Sequence, residues 1–338
     1  MTEAPRARAG NRTYTGPFRL LNARRALHRA SRMDAQGRAS EALPLLRIGA
    51  ATLRDVAKGN PKRQHEHVAS LILLADWHLT RAAPSDALLA QEELVTILET
   101  TPCTHERPDE AADRLADALT RRADTHRLLG NYDNAAADLH RALELATAPL
   151  TRAGAHNASG VLAKDTDRFD DAADHYARAL HGMQAIFGND HPDQASLFHN
   201  LAGLAHSRGQ HADGEPHARH AIALRERIFG PDSPEVAADL AVLGALLAGQ
   251  GRHTEAEAIF QGTLATWTSH RGPGHYEVAV SLHHLGVLHA AAGNHDTAAA
   301  ELTRALTITE STLGGNHPET RALRRDLTAV SNLATRNP

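Results

Sequence analysis

The chain has 338 residues, with 36 basic and 40 acidic side chains and a formal net charge of −4, a balance that argues against a general binder of nucleic acid or anionic membranes. Aromatic residues make up only 4%, so the apolar content is mainly Ala and Leu, which favours helices over sheets. Cys103 is the only cysteine, which excludes an internal disulfide, and no apolar run approaches the ~20 residues that span a bilayer. We therefore predict an all-α protein that is soluble and cytoplasmic.

The first part of the chain predicts irregular helix pairs. Residues 1–20 are basic and interrupted by Gly and Pro, which predicts a disordered tail. From 21 to 150, short breaks near Gly37, Ala83 and Gly130 separate the two helices of each pair, at unequal spacings. Polar connectors lengthen this region at residues 58–63 and 101–108. Cys103 lies in the second connector, and we interpret it as a surface thiol rather than a nucleophile.

The second part, from 151 to 313, repeats with a period of 42. Four glycines at the boundaries between repeats are 42 residues apart: Gly188, Gly230, Gly272 and Gly314. Three glycines between the two helices of a repeat have the same spacing: Gly209, Gly251 and Gly293. A glycine past the last turn ends a helix, and a proline and an acid begin the next, so each unit consists of two antiparallel helices. The whole chain is expected to hold about seven helix pairs and one capping helix, 318–335.

The repeated pattern resembles the tetratricopeptide repeat in its 42-residue form, known from kinesin light chains and related bacterial proteins. The matching segments are 200–202, 255–257, 305–306, 313–314 and 317–318, and the resemblance covers residues 21–335 as a single solenoid. A departure is His at 211, 253 and 295, where a tyrosine is usual. The resemblance implies a right-handed superhelix with the first helices lining a concave groove. Most relatives bind extended peptides or partner helices there, and most are not enzymes.

Candidate binding residues follow from placing the chain on that pattern. Leu201, Leu243 and Leu285 are constant core positions, whereas the positions just before them vary in character between repeats. Amides pair with a peptide backbone and Arg clamps carboxylates, so such residues suit a peptide groove. The alternative is that they form solvated helix faces. The predicted groove residues are Arg121, Asp124, Arg127, Asn157, His199, Asn200, His206, His283, His284, Arg325 and Asp326.

The 24 histidines raise the question of a metal site. His217 and His220 are three residues apart, a spacing that can direct two imidazoles at one ion. The other histidines recur at fixed repeat positions, at 211, 253 and 295 and again at 191, 275 and 317, which indicates a role in the fold. We predict no metal and no cofactor.

Three functional hypotheses remain open from the sequence. The first is a non-catalytic scaffold or adaptor that holds a protein or peptide partner in the groove. The second is an enzyme or accessory factor of a bacterial biosynthetic pathway that uses the groove as a pocket. Its candidate residues are two sets, His199 with Asn200 and His206, and His283 with His284. The third is a ligand-sensing regulatory protein. A homodimer is also open, because Trp267 could serve either packing between repeats or a partner contact.

Overall fold

The structure is a computed structural model that describes residues 16–35, 38–58, 60, 63–81, 83–100 and 107–334. Cys103 and residues 1–15 of the predicted tail lie outside the described residues. The rest of the predicted tail does not: α1 begins at Gly16, inside the 1–20 segment. The apolar residues further along α1 explain the difference, because Ala23, Ala30 and Met33 are buried and give α1 a face to pack on α2.

Fifteen α-helices and a short 3₁₀ turn, Pro192–Gln194, make up the regular structure of the described residues. Within each unit successive helices pack as antiparallel pairs, and α15 follows as a last helix, which confirms the predicted all-α fold of helix pairs. None of the described helices has both the length and the apolarity needed to cross a membrane. In chain order the helices are α1 Gly16–Ala35, α2 Ala39–Ala57, α3 Gln64–Leu79, α4 Pro84–Thr100, α5 Pro108–Leu128, α6 Tyr132–Leu145, α7 Pro149–Asp165, α8 Phe169–Phe187, α9 Ala195–Ser207, α10 His211–Phe229, α11 Pro234–Gly249, α12 His253–Arg271, α13 Tyr276–Ala291, α14 His295–Leu313 and α15 Pro318–Ala334.

Backbone contacts divide the chain into two compact units, Met1–Ala158 and Ser159–Pro338, which we call unit 1 and unit 2. The division falls within α7. In unit 1, apolar side chains of α3, α4 and α5 form the largest core cluster, and a second cluster joins α1 to α2. In unit 2, two large clusters cover α9 to α15, one centred on Phe260 and the other on Leu302.

The boundary glycines end the second helices by a backbone conformation that other residues rarely adopt. Gly230, Gly272 and Gly314 have φ between 81° and 87° and ψ between 158° and 162°. This region of positive φ and extended ψ is open essentially to glycine alone. The sequence predicted a glycine-dependent helix stop, and the structure shows that the chain then leaves in an extended direction rather than in a left-handed helical turn.

Each helix pair in unit 2 crosses where the first helix carries a very small residue. A Cβ on Gly244 would lie 2.9 Å from the Phe260 ring, and one on Gly286 would lie 2.8 Å from Leu302 Cγ. Ala202 occupies the same repeat position and shares a buried cluster with Ala218. In each pair the small residue of the first helix therefore packs against the side chain sixteen positions later on the second helix.

Gly244→Ala should lower the free energy of unfolding by about 1–3 kcal/mol, because Phe260 is fully buried and has no room to move away from a new methyl group. The matched control is Gly262→Ala, on the exposed face of α12, where nothing lies within 4 Å of the new Cβ. That change should raise stability by about 0.5–1 kcal/mol through helix propensity. Denaturant unfolding of both variants measures the difference, and equal effects would contradict the close-crossing interpretation.

Candidate functional site

The first helices of unit 2 lie side by side. α11 contacts both α9 and α13, and α13 contacts α15, in addition to the contacts that each makes with its own second helix. We call the surface formed by α9, α11, α13 and α15 the first-helix face. Its polar side chains join one first helix to the next, so the residues predicted from the sequence can be placed relative to one another.

A buried carboxylate links α9 to α11. His199 Nδ1 lies 2.7 Å from Asp239 Oδ1, and Arg225 Nε approaches Asp239 Oδ2 at 3.3 Å. The Asp239 side chain is fully buried, whereas that of His199 is 32% exposed. A buried carboxylate is tolerated when cations surround it, and here it fixes the orientation of the His199 ring at the surface.

Two further contacts link α13 to α15. His283 Nε2 lies 2.8 Å from Asp326 Oδ2, so these two predicted residues come together. Two turns earlier, the Tyr276 hydroxyl donates to the Glu319 carboxylate. Burial and the Glu319 charge raise the pKa of Tyr276, which keeps its hydroxyl protonated as a donor.

His284 lies in the middle of α13. Its ring stacks on Phe260 at 4.6 Å between centroids and 5° between planes, and it lies 6.0 Å from the ring of His283. Burial, with smaller electrostatic contributions from His283 and His206, lowers the pKa of His284 to about 4. The imidazole is therefore neutral near pH 7 and offers one donor and one acceptor nitrogen.

The remaining predicted residues of unit 2 lie in α9 and α15. His206 lies at the end of α9, with its ring 5.2 Å from His211, and burial, His211 and Lys164 together lower its pKa. Asn200 is half-buried in α9, and Arg325 is exposed on α15.

In unit 1 the predicted residues Arg121, Asp124 and Arg127 share one side of α5, and Asn157 lies in α7. Arg121 forms an ion pair with Asp76 of α3 at 3.2 Å, which again links two first helices. Asp124 Oδ1 lies 3.9 Å from Arg127, and burial raises the pKa of Asp124 despite the opposing effect of Arg127. Asp117, one turn before Arg121, also has a raised pKa through burial and was not predicted.

Several histidines act in the fold. The Nδ1 atoms of His191, His275 and His317 each accept a hydrogen bond from the backbone N–H two residues later, at 3.3 Å, as helix caps. His217 and His220 lie against the Phe198 ring. Within the described residues, no group of three or more potential ligands could hold a metal ion.

His289 is a further structural histidine, held between two second helices. Nδ1 lies 2.7 Å from Glu301 of α14, and Nε2 lies 3.4 Å from Glu257 of α12. Burial alone would lower the pKa of His289, but the hydrogen bonds and charges of Glu301 and Glu257 outweigh it and raise that pKa. This side chain therefore ties α13 to its neighbours most strongly when it is protonated.

Sequence reasoning missed Asp239, Arg225, Tyr276 and Glu319 as members of this face, although two of them carry a signal. Asp239 is the only charged residue in the apolar run from Val236 to Gly249. Tyr276 stands where the other three repeat boundaries have proline, at 192, 234 and 318. Both are departures from the local pattern, and departures of this kind are expected where a specific contact replaces a fold requirement.

Asp239→Asn should lower the free energy of unfolding by about 2–3 kcal/mol. The guanidinium of Arg225 would stay largely buried but would no longer be paired with a negative charge. The control is Asp193→Asn, whose carboxylate is 62% exposed beside His191 and should change stability by less than ~0.5 kcal/mol. Thermal unfolding at pH 7 compares the two. A loss no larger than that of the control would show that the buried carboxylate does not hold α9 and α11 together.

His289→Gln should cost more stability at pH 6 than at pH 8. The pKa of His289 is raised in the folded state, so its contribution is complete below the unfolded pKa of ~6.5 and is lost as the pH rises through the folded pKa. The part that depends on pH should be about 0.5–1 kcal/mol, since the ion pairs are partly exposed. Urea unfolding of both proteins at each pH tests this, and a cost that grew with pH would contradict it.

Comparison with known proteins agrees with this architecture. Models of the tetratricopeptide repeat match residues 116–149, 151–227, 193–268, 240–311 and 277–335, which together cover more than half of the chain. A search of the curated proteins gives no significant match.

Among solved structures, BtubC (BKLC) from P. vanneervenii is similar at 23% identity and a TM-score of 0.55, over 70% of this chain and 94% of that one. Aspartyl phosphate phosphatase F from Bacillus subtilis is similar at 14% identity and a TM-score of 0.67, over 89% and 74%. A tetratricopeptide repeat protein from Parabacteroides merdae is similar at 14% identity and a TM-score of 0.55, over 91% and 99%. These likenesses concern the fold, and with the matches of the repeat models they lead to one conclusion: the chain belongs to the tetratricopeptide repeat family.

Proposed function

We propose that this protein is a non-catalytic interaction scaffold that holds a peptide or a segment of a partner protein against the first-helix face of unit 2. The observation that carries the proposal is His284. Its neutral ring is fixed by stacking on Phe260, and it lies 6.0 Å from the ring of His283, which Asp326 orients. A rigid ring with one donor and one acceptor suits the alternating donors and acceptors of a peptide backbone.

The distribution of charge also favours a segment that crosses several helices. Glu277 and Glu319 lie in the first turns of α13 and α15, whereas Lys164 lies in the last turn of α7. A partner with a basic part and an acidic part would complement both edges, and such complementarity sets orientation and specificity more than affinity. We therefore expect a bound segment to run across the first helices in one preferred direction.

The enzyme hypothesis has less support than the scaffold hypothesis. In the described part of the first-helix face, His199 and His283 are engaged by carboxylates, and neither makes a hydrogen bond to a hydroxyl or thiol that it could activate. The ligand-sensing hypothesis uses the same surface and differs only in the response of the protein once a ligand is bound. A cytoplasmic location, a bacterial origin and a homodimer remain predictions from the sequence.

Selection from a library of displayed random peptides, with the full chain as target, tests the proposal. Binders are then measured by calorimetry against the full chain and two variants. His284→Phe keeps a ring over Phe260 but removes both nitrogens, and it should weaken binding about tenfold, as expected for loss of a hydrogen bond in a desolvated site. His181→Phe, on the exposed face of α8, is the matched control and should leave affinity unchanged. If the selected peptides bind His284→Phe with unchanged affinity, the binding surface lies elsewhere and the proposal is wrong.

A further inference from the structure

A cavity of about 220 Å³ lies between α13, α14 and α15, beside the contact of Tyr276 with Glu319. Pockets for drug-sized ligands begin at about 300 Å³, so this one is suited to a single side chain. One wall is apolar, and the polar atoms come from Tyr276, His283, Thr309 and Glu319. The full lining is Tyr276, Ala279, Val280, His283, Thr309, Glu319, Ala322 and Leu323.

The internal repeat shows what fills the same place two repeats earlier. There the side chain of Arg225 lies between α9 and α11, where it donates to Ser196 Oγ and to the Glu235 carbonyl, both at 3.2 Å, and pairs with Asp239. Two periods further along the chain, Thr309 stands in place of Arg225. Val280, Glu319 and Leu323 stand in place of its partners Ser196, Glu235 and Asp239, in that order. All four line the cavity. The cavity is therefore the counterpart of a space that an arginine side chain fills in this same protein.

The intermediate repeat shows that this place is normally filled. In the repeat between those of Arg225 and Thr309, the equivalent residue is Trp267. It is 7% exposed and packs in the core cluster with Val278 and Ala279. Arginine and tryptophan are long enough to fill the space between successive first helices, whereas threonine is not. The cavity thus follows from one short side chain, Thr309, at a position that is bulky in the two preceding repeats.

One acidic side chain, Glu319, lines the cavity, and a second, Glu277, lies close to it. Glu319 accepts from Tyr276, and Glu277 follows Tyr276 in the chain; neither carboxylate forms an ion pair with a basic side chain within the described residues. Burial and the charge of Glu319 raise the pKa of Glu277, while His199 acts in the opposite direction. The Glu319 carboxylate would therefore be stabilised by a cation placed in the cavity.

We propose that this cavity binds a lysine or arginine side chain of the partner peptide, with the alkyl stem against Val280, Ala322 and Leu323 and the cationic group at Glu319. The proposal rests on the proposed function, because it assigns one specificity pocket to the peptide surface described above. The change from Ser196 and Asp239 to Val280 and Leu323 makes the wall suitable for the stem rather than for several hydrogen bonds. Tyr276, which replaces the proline of the other boundaries, supplies a hydroxyl at the polar end.

The probes are a capped alanine-based peptide with one central lysine, its counterparts with arginine, norleucine and Nε-acetyl-lysine, and free butylamine. Titration of each into the full chain, followed by NMR chemical shifts, should show the lysine and arginine peptides binding about tenfold more tightly than the norleucine and acetylated peptides, as expected for a charge-assisted hydrogen bond. Equal binding of the lysine and norleucine peptides would overturn the proposal.

Thr309→Arg supplies the cation from the chain itself, as Arg225 does two repeats earlier. It should abolish the preference for the charged peptides and raise the melting temperature, whereas Thr307→Arg, on the exposed side of α14, adds the same charge without reaching the cavity. Glu319→Gln should reduce the preference in the same way, and Glu235→Gln, at the same repeat position in α11, should not. A preference that survives both Thr309→Arg and Glu319→Gln would contradict the pocket.

These outcomes separate the pocket from the proposed function. His284→Phe should weaken the binding of the lysine and norleucine peptides equally, because the contact with the peptide backbone does not depend on charge. Thr309→Arg should weaken the binding of the charged peptides only. If no peptide binds but butylamine binds in a manner that depends on Glu319, the cation pocket stands and the peptide surface fails. If all peptides bind equally and depend on His284, the peptide surface stands and the pocket fails.

Discussion

The close crossing of the two helices in each pair is the constraint on which the structure depends. In unit 2 it requires a residue no larger than alanine on the first helix, and the second helix then places a methyl group, a leucine or an aromatic ring against that position, as with Ala202 and Ala218 or Gly286 and Leu302. Because this contact recurs every 42 residues, it fixes the spacing of the first helices. Their polar side chains can then meet across neighbouring repeats at hydrogen-bond distance.

The same regularity makes departures from the repeat informative. Successive repeats carry Arg225, Trp267 and Thr309 at one position of the second helix, and the space between first helices is accordingly filled by a guanidinium, filled by an indole, or left as a cavity. A solenoid tolerates such changes because each repeat contacts only its neighbours, so one altered position has local consequences. Specific contacts can therefore differ from repeat to repeat while the stacking of helix pairs is preserved.

Histidine serves three separate purposes in this chain. At repeat boundaries its Nδ1 caps a helix, in His289 it ties three helices together through two carboxylates, and on the first-helix face it is oriented by an acid or by stacking. The environment distinguishes these uses: carboxylate partners raise the pKa of His289, whereas burial among other histidines lowers that of His284. The abundance of histidine in the composition therefore does not indicate one common function.

The sequence by itself determined the number of helix pairs, the period of the regular repeats and the glycines that end the helices, because backbone stops and starts are local properties of a few neighbouring residues. It also suggested that His283, His284 and Asp326 belong to one surface, since they occupy adjacent positions of the repeat. Only the tertiary structure decided that Asp239 and Arg225 meet beneath His199, that Tyr276 reaches Glu319, and that Thr309 leaves a cavity. Those contacts join residues from different helices, and their formation depends on side-chain length, burial and direction, which a repeat pattern does not specify.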